Sequence, residues 1–162
     1  MSSPSPAPTL QELYDRYGAC VFRRARTLLG DPDRARDATQ EVFLRAAQDP
    51  ERVRAHPLPW LFRVTTNLCL NNLRDHQRRV RILANRSADV AADQAADARL
   101  AVNQLLARVP PDLKEIALSY YVEDLSHEDI ALMFGVSRRT IGNRLAAFQA
   151  LADELFAIKG AA

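Results

Sequence analysis

Arg138, Arg139, Thr140, Asn143 and Arg144 fall within seven residues, directly after the stretch "FGVS". On a helix they gather at its N-terminal end, facing solvent, while Ile141, Leu145 and Phe148 face inward. Arginine bonds guanine in a bidentate manner and asparagine bonds adenine or a phosphate; each good bidentate pair supplies about 1–3 kcal/mol of discrimination. Asn67 and Asn71 form a second set, two amides one helical turn apart, followed by Arg74, Arg78, Arg79 and Arg81, which suit the phosphates of a duplex. Bond-making chemistry has no comparable set. His56, His76 and His127 are scattered, and no Cys/His/Asp group has metal-ligand spacing. Cys69 and His76 would stand roughly 10 Å apart along one helix. There is no phosphate loop and no nucleophile elbow. The expectation is a protein without catalytic residues, metal or cofactor.

The elements that position these side chains read as helices throughout. "LSHEDIALMFGVSRRTIGNRLAAF" is two helices around a glycine turn. Ser126 and Asp129 resemble a capping box, Gly135 takes the left-handed position, Val136 plugs the core and Ser137 caps the last helix. That is the helix-turn-helix pattern. Before it, "DLKEIALSYYVED" is a helix capped by Asp112, and "RLAVNQLLARVP" is a helix stopped by Pro110 and Pro111.

Toward the N-terminus, Leu10, Leu13, Tyr14, Tyr17, Val21, Ala25 and Leu28 recur at helical spacing from Thr9 to Leu29. Gly30 suits a C-terminal cap, Asp31 an N-cap and Pro32 the first position of a second helix. That helix runs to about Gln48, with Ala35, Ala38, Val42, Phe43 and Ala46 on one face. Residues 49–59 carry three prolines and are expected to form a constrained loop. A long helix follows, from near Leu58 to about Leu83, with Leu61, Val64, Leu68 and Leu73 inward and a basic far end. Trp60, beside Leu61 and Val64, belongs with the core rather than stacked on a base.

The sequence therefore predicts an all-α protein of two small helical domains. Residues 1–8 form a disordered tail, 9–83 a first domain, 84–97 a small, polar, acidic linker and 98–159 a second domain. Extended, residues 85–97 would span about 40–45 Å. The 162-residue chain has no apolar run long enough to cross a bilayer and no secretory signal at its start. Cys20 and Cys69 are too few for a disulfide framework; they suit a reducing cytoplasm and read as buried apolar residues. Charge is uneven. Residues 1–82 hold fourteen basic and nine acidic side chains, whereas residues 113–162 hold five and seven. Non-specific DNA affinity follows the phosphates neutralised, so the C-terminal segment lacks the charge to hold DNA alone. A partner is implied.

"DATQEVFLRAAQ" with "PWLFRVTTNLCLNNLRDHQRR" resembles region 2 of bacterial extracytoplasmic-function (ECF) sigma factors, and "LARVPPDLKEIALSYYVEDLSHEDIALMFGVSRRTIGNRL" resembles their region 4. The resemblance implies two domains that dock on bacterial core RNA polymerase, on the clamp coiled coil of its largest subunit and the flap of its second subunit. Region 2 would read the −10 element of promoter DNA and aid melting; region 4 would read the −35 element. Asp37, Gln40 and Glu41 match the polymerase-binding motif. The resemblance assigns the −10 strand to the loop holding Arg54 and His56 and to the long helix bearing Arg63, Asn67, Asn71, Arg74 and Arg78. It assigns the −35 element to Arg138, Arg139, Thr140, Asn143 and Arg144. An anti-sigma factor is a further partner that the family implies, and membrane insertion is not expected.

This chain departs from the common pattern where Gly142 and "AAFQALADEL" stand in place of basic residues, and at Asn71 and Asn72. The departures imply an unusual or weaker −35 preference. Two other readings compete: a stand-alone helix-turn-helix regulator, and a helical adaptor binding only protein. The acidic C-terminal balance argues against the first, and the Arg138–Arg139 pair against the second.

Overall fold

The computed structural model describes residues 8–84 and 94–160. Among these residues there are eight α-helices and no strand: α1 Leu10–Leu29, α2 Pro32–Gln48, α3 Pro50–Ala55, α4 Pro57–Ala84, α5 Gln94–Arg108, α6 Pro111–Tyr121, α7 His127–Phe134 and α8 Arg138–Gly160. The chain is all-α. Its two compact units are residues 1–68 and 69–162, the division falling inside α4. The tail and the linker expected from sequence fall largely on residues 1–7 and 85–93, outside those described; Ala84 closes α4 and Gln94 opens α5.

Local chemistry sets the boundaries in the first unit. Thr9 caps α1 through a reciprocal box: the Glu12 backbone N–H donates to Thr9 Oγ1 at 3.2 Å, and the Thr9 N–H donates to Glu12 Oε2 at 2.7 Å. Gly30 ends α1 in the left-handed region, φ 75°, its N–H donating to the Arg26 carbonyl. Asp31 then accepts from the backbone N–H groups of Asp33 and Arg34, at 2.8 and 3.1 Å, with Pro32 opening α2. Those two bonds, that from Arg34 first, hold the Asp31 carboxyl below the ordinary carboxylate range. Leu13, Val21, Val42, Phe43, Ala46, Val53 and Leu61 form the core, with Tyr17, Trp60, Val64 and Leu68 packed on it. Trp60 sits on the core, as its neighbours predicted.

Three expectations are corrected here. Residues 49–59 are not a loop: Pro50–Ala55 is helical, and α4 already starts at Pro57. Pro50 and Pro57 each open a helix and Pro59 lies in the first turn of α4, where a missing N–H goes unused, and Val53 anchors the short helix with 1% of its surface exposed. The inward face of α4 is also wider than expected. Phe62, Thr65, Thr66, Cys69 and Leu70 are buried along with Leu61, while Val64, Leu68 and Leu73 are only half-buried. The Thr65 and Thr66 hydroxyls fit inside because they donate to the Leu61 and Phe62 carbonyls, at 2.7 and 2.9 Å. Finally, Cys69 is buried but Cys20 only half so, its Sγ accepting from Arg23 at 3.7 Å.

Arg24 is fully buried on α1. Its guanidinium lies 3.7 Å from the centroid of the Phe62 ring and donates to Thr66 Oγ1 at 3.4 Å. A buried cation needs such partners, and these tie α1 to α4.

In the second unit, α6, α7 and α8 close around Ile116, Ile130, Ala131, Ile141 and Leu145, with Leu125, Phe134 and Val136 packed against them. Asp112 does not cap α6, contrary to expectation. Pro111 holds the first helical position, Pro110 stands at the cap without a side-chain bond, and Asp112 lies in the first turn, where its charge suits the helix dipole. Lys114 and Glu115 are buried on the same helix. Burial lowers the Lys114 pKa, and neighbouring Glu115 opposes the shift.

Candidate nucleic-acid interface

The turn before α8 is built as its residue types require. Ser126 Oγ accepts from the Asp129 N–H at 3.1 Å and caps α7. The reciprocal half of the expected box differs: the Ser126 hydroxyl, rather than its backbone N–H, donates to Asp129 Oδ2, at 2.7 Å. Gly135 ends α7 with φ 65°, and the Val136 N–H reaches back to the Ala131 carbonyl at 3.0 Å. Ser137 Oγ accepts from the Thr140 N–H at 3.1 Å and so caps α8.

With Ile141, Leu145 and Phe148 buried, Arg138, Arg139 and Asn143 are exposed and Thr140 and Arg144 half-exposed. The five expected residues therefore share the N-terminal end of one helix. Two are already engaged. The Thr140 hydroxyl lies 2.8 Å from Ser137 Oγ, within the cap. Arg138 Nε is paired with Glu128 Oε1 at 3.0 Å, across the turn from α7. Sequence reading missed Glu128. Ten residues separate it from Arg138, so no helical period links them; the available signal was two arginines at the positive end of a helix, which favours a nearby acid.

A Cβ built at Gly142 meets nothing within 4 Å. Gly142→Ala is therefore expected to stabilise α8 by about 1 kcal/mol. That should raise the thermal midpoint of the unit holding α8 by about 4–8 °C, read by circular dichroism on the full-length protein.

On α4, Arg63, Asn67, Asn71, Arg74 and Arg78 are all exposed. Asn71 Oδ1 accepts from Arg74 at 3.4 Å, so this amide and this guanidinium lean on each other. Arg54 on α3 is half-buried, and His56 is exposed in the short step between α3 and α4. On α2, Asp37 and Gln40 are exposed and Glu41 is half-buried, paired with Arg45 at 2.8 Å. Spaced i, i+3, i+4, these three form one polar face opposite the buried Val42 and Phe43. Among the described residues, no group of three or more His, Cys, Asp or Glu side chains could hold a metal ion, and no helix is long and apolar enough to cross a membrane.

Two helical units, the second ending in a helix-turn-helix that turns arginine and asparagine to solvent, define a protein built on the architecture of DNA recognition. Comparison narrows the class. Residues 13–79 match Sigma-70 region 2, and residues 99–147 match Sigma-70, region 4, together most of the chain. The probable RNA polymerase sigma factor RfaY of Xanthomonas campestris pv. campestris is 32% identical over 161 residues, covering 88% of this chain, which spans 40% of that relative's length. The ECF RNA polymerase sigma factor SigL of Mycobacterium tuberculosis is 28% identical over 154 residues, covering 89% of this chain and 86% of the relative. Among solved structures, CnrH in complex with the cytosolic domain of CnrY shares the fold. Its TM-score is 0.51 at 19% identity, covering 92% of this chain and 88% of that one. RpoE bound to the anti-sigma factor NepR from Bartonella quintana has a TM-score of 0.50 at 19% identity, covering 91% and 96%. The chain belongs to the sigma-70 family of RNA polymerase sigma factors, in its extracytoplasmic-function group.

Proposed function

We propose that this protein binds bacterial core RNA polymerase and directs it to promoters by reading a −10 and a −35 element, assisting the opening of the −10 duplex. The observation that carries this reading is the presence in one chain, in family order, of region 2 over residues 13–79 and region 4 over residues 99–147. Residues 9–83 serve as the region 2 domain, 84–97 as the linker and 98–159 as the region 4 domain. The polar face of Asp37, Gln40 and Glu41 on α2 meets the polymerase clamp. Arg54, His56, Arg63, Asn67, Asn71, Arg74 and Arg78 serve the −10 region, where a strand is held with a base extruded, a step that requires a polar-edged pocket. Arg138, Arg139, Thr140, Asn143 and Arg144 serve the −35 element in the major groove. Each DNA contact set is weak, and tethering both to polymerase makes the second contact intramolecular, which raises avidity without new contacts. The protein acts in the cytoplasm, where polymerase is, and takes no catalytic part, metal or cofactor. An anti-sigma factor is a further partner, a reading supported by the fold shared with RpoE, which was solved with one.

The test is run-off transcription with sigma-free core polymerase on a pool of genomic promoter fragments. Discrete transcripts absent from core alone are expected, and their upstream sequences give both elements. Sequence-specific DNA binding without co-elution with core would instead establish a stand-alone regulator. Gln40→Ala is expected to weaken the affinity for core about fivefold or more, the loss of a central polar contact of about 1 kcal/mol, without changing the thermal midpoint. Unchanged affinity in a titration with core would remove the clamp assignment from α2.

A further inference from the structure

We propose that Glu128 is a positioning residue for Arg138, holding its guanidinium in register for one base contact; this rests on the reading of α8 as the promoter-recognition helix. The pair bridges the turn, Glu128 being the second residue of α7 and Arg138 the first of α8. Which nitrogen is engaged matters. Glu128 Oε1 takes Nε, at 3.0 Å. A guanidinium carries five N–H donors in a planar fork, and pairing through Nε leaves both terminal nitrogens available. Those are the donors that meet guanine O6 and N7 side by side.

The local electrostatics explain why the pair forms. Arg138 and Arg139 open α8, where the positive end of the helix dipole disfavours cations. The first turn of α7 supplies two acids, but Asp129 is bound to the Ser126 hydroxyl. Glu128 is the one that reaches Arg138. In free protein the bond is weak, because both side chains are well exposed, 71% and 61%. Its consequence appears on DNA, where the same carboxylate repels phosphates while fixing the arginine.

Removing Glu128 therefore separates two roles. An acid that only adjusted surface charge would, once removed, strengthen binding to all DNA alike. A positioning acid, once removed, strengthens non-specific binding and weakens preference at one base.

Full-length wild type, Glu128→Ala, Glu128→Gln, Arg138→Ala and the Glu128→Ala/Arg138→Ala double variant, each assembled with bacterial core polymerase, are incubated with a randomised duplex DNA pool, and the retained DNA is sequenced. Wild type is expected to enrich guanine at one upstream position and Arg138→Ala to lose it. Both single Glu128 variants should lower that enrichment about fivefold, leave other positions unchanged and retain more unselected DNA. The double variant should match Arg138→Ala in base preference while retaining more unselected DNA. Wild-type guanine enrichment in the Glu128 variants, with Arg138→Ala still losing it, overturns the positioning role and leaves the recognition helix standing. If Arg138→Ala alters no position while the pool is still enriched, the recognition-helix reading falls, and this proposal with it.

Discussion

Arg138→Ala is expected to reduce transcription about five- to 150-fold from promoters that depend on the upstream element, while core binding and thermal stability stay at wild-type values. The range is that of one bidentate base contact, about 1–3 kcal/mol. Stability should hold because the side chain is exposed and its Glu128 pair is a surface one, worth at most about 1 kcal/mol. Promoters opened mainly through the −10 element should respond little, since the residues proposed for that element lie on α3, on α4 and in the step between them. The measurement is run-off transcription on paired templates with and without the upstream element. An equal fall on both templates would place Arg138 in polymerase binding, and no fall on either would remove α8 from promoter reading.

Ile141→Ala should act on the same helix by a different route. Ile141 is fully buried between Ile116, Ile130 and Leu145. Truncating such a side chain removes its transfer energy and leaves a cavity, about 2–5 kcal/mol. Against the roughly 5–15 kcal/mol that holds a domain together, this is a large share. The orientation of Arg138 and Asn143 depends on α8 being seated, so upstream-element transcription should be lost, while the α2 face keeps its affinity for core. Urea denaturation followed by circular dichroism, with co-elution on core, reads both. Ile141→Val, expected to cost about 0.5–1.5 kcal/mol, should keep most activity. The two substitutions are told apart by stability: unchanged in Arg138→Ala, reduced in Ile141→Ala.

These outcomes rest on features of unequal visibility in the sequence. The helix ends were legible wherever a bond forms between near neighbours. Gly30, Asp31 and Pro32 announced the corner between α1 and α2, and Ser126, Gly135 and Ser137 announced the turn before α8. Each depends only on backbone sterics and a side chain within a few residues. The same locality made the outward set on α8 readable, because helical period alone separates Ile141 and Leu145 from Arg138 and Asn143.

Local rules also misled. Asp112 was a good cap by type, but Pro111 has its φ preset for the first helical position, so the helix begins two residues earlier than a cap at Asp112 would allow. Three prolines suggested a loop over residues 49–59. Proline marks where a helix can start, yet whether Pro50–Ala55 winds depends on Val53 finding the core made with Leu13, Phe43 and Leu61, residues close in space and not in sequence.

By itself the sequence determined the helical class, the corners at residues 30–32 and 126–137, the apolar face of α2 and the outward set on α8, since these follow from bonds and periods spanning four residues or fewer. Tertiary structure decided what those faces meet. Arg24 is charged by type and buried by circumstance, because Phe62 and Thr66 on α4 supply the ring and the hydroxyl that let a cation leave water. Glu128 meets Arg138 only because the Gly135 turn sets α7 across the start of α8.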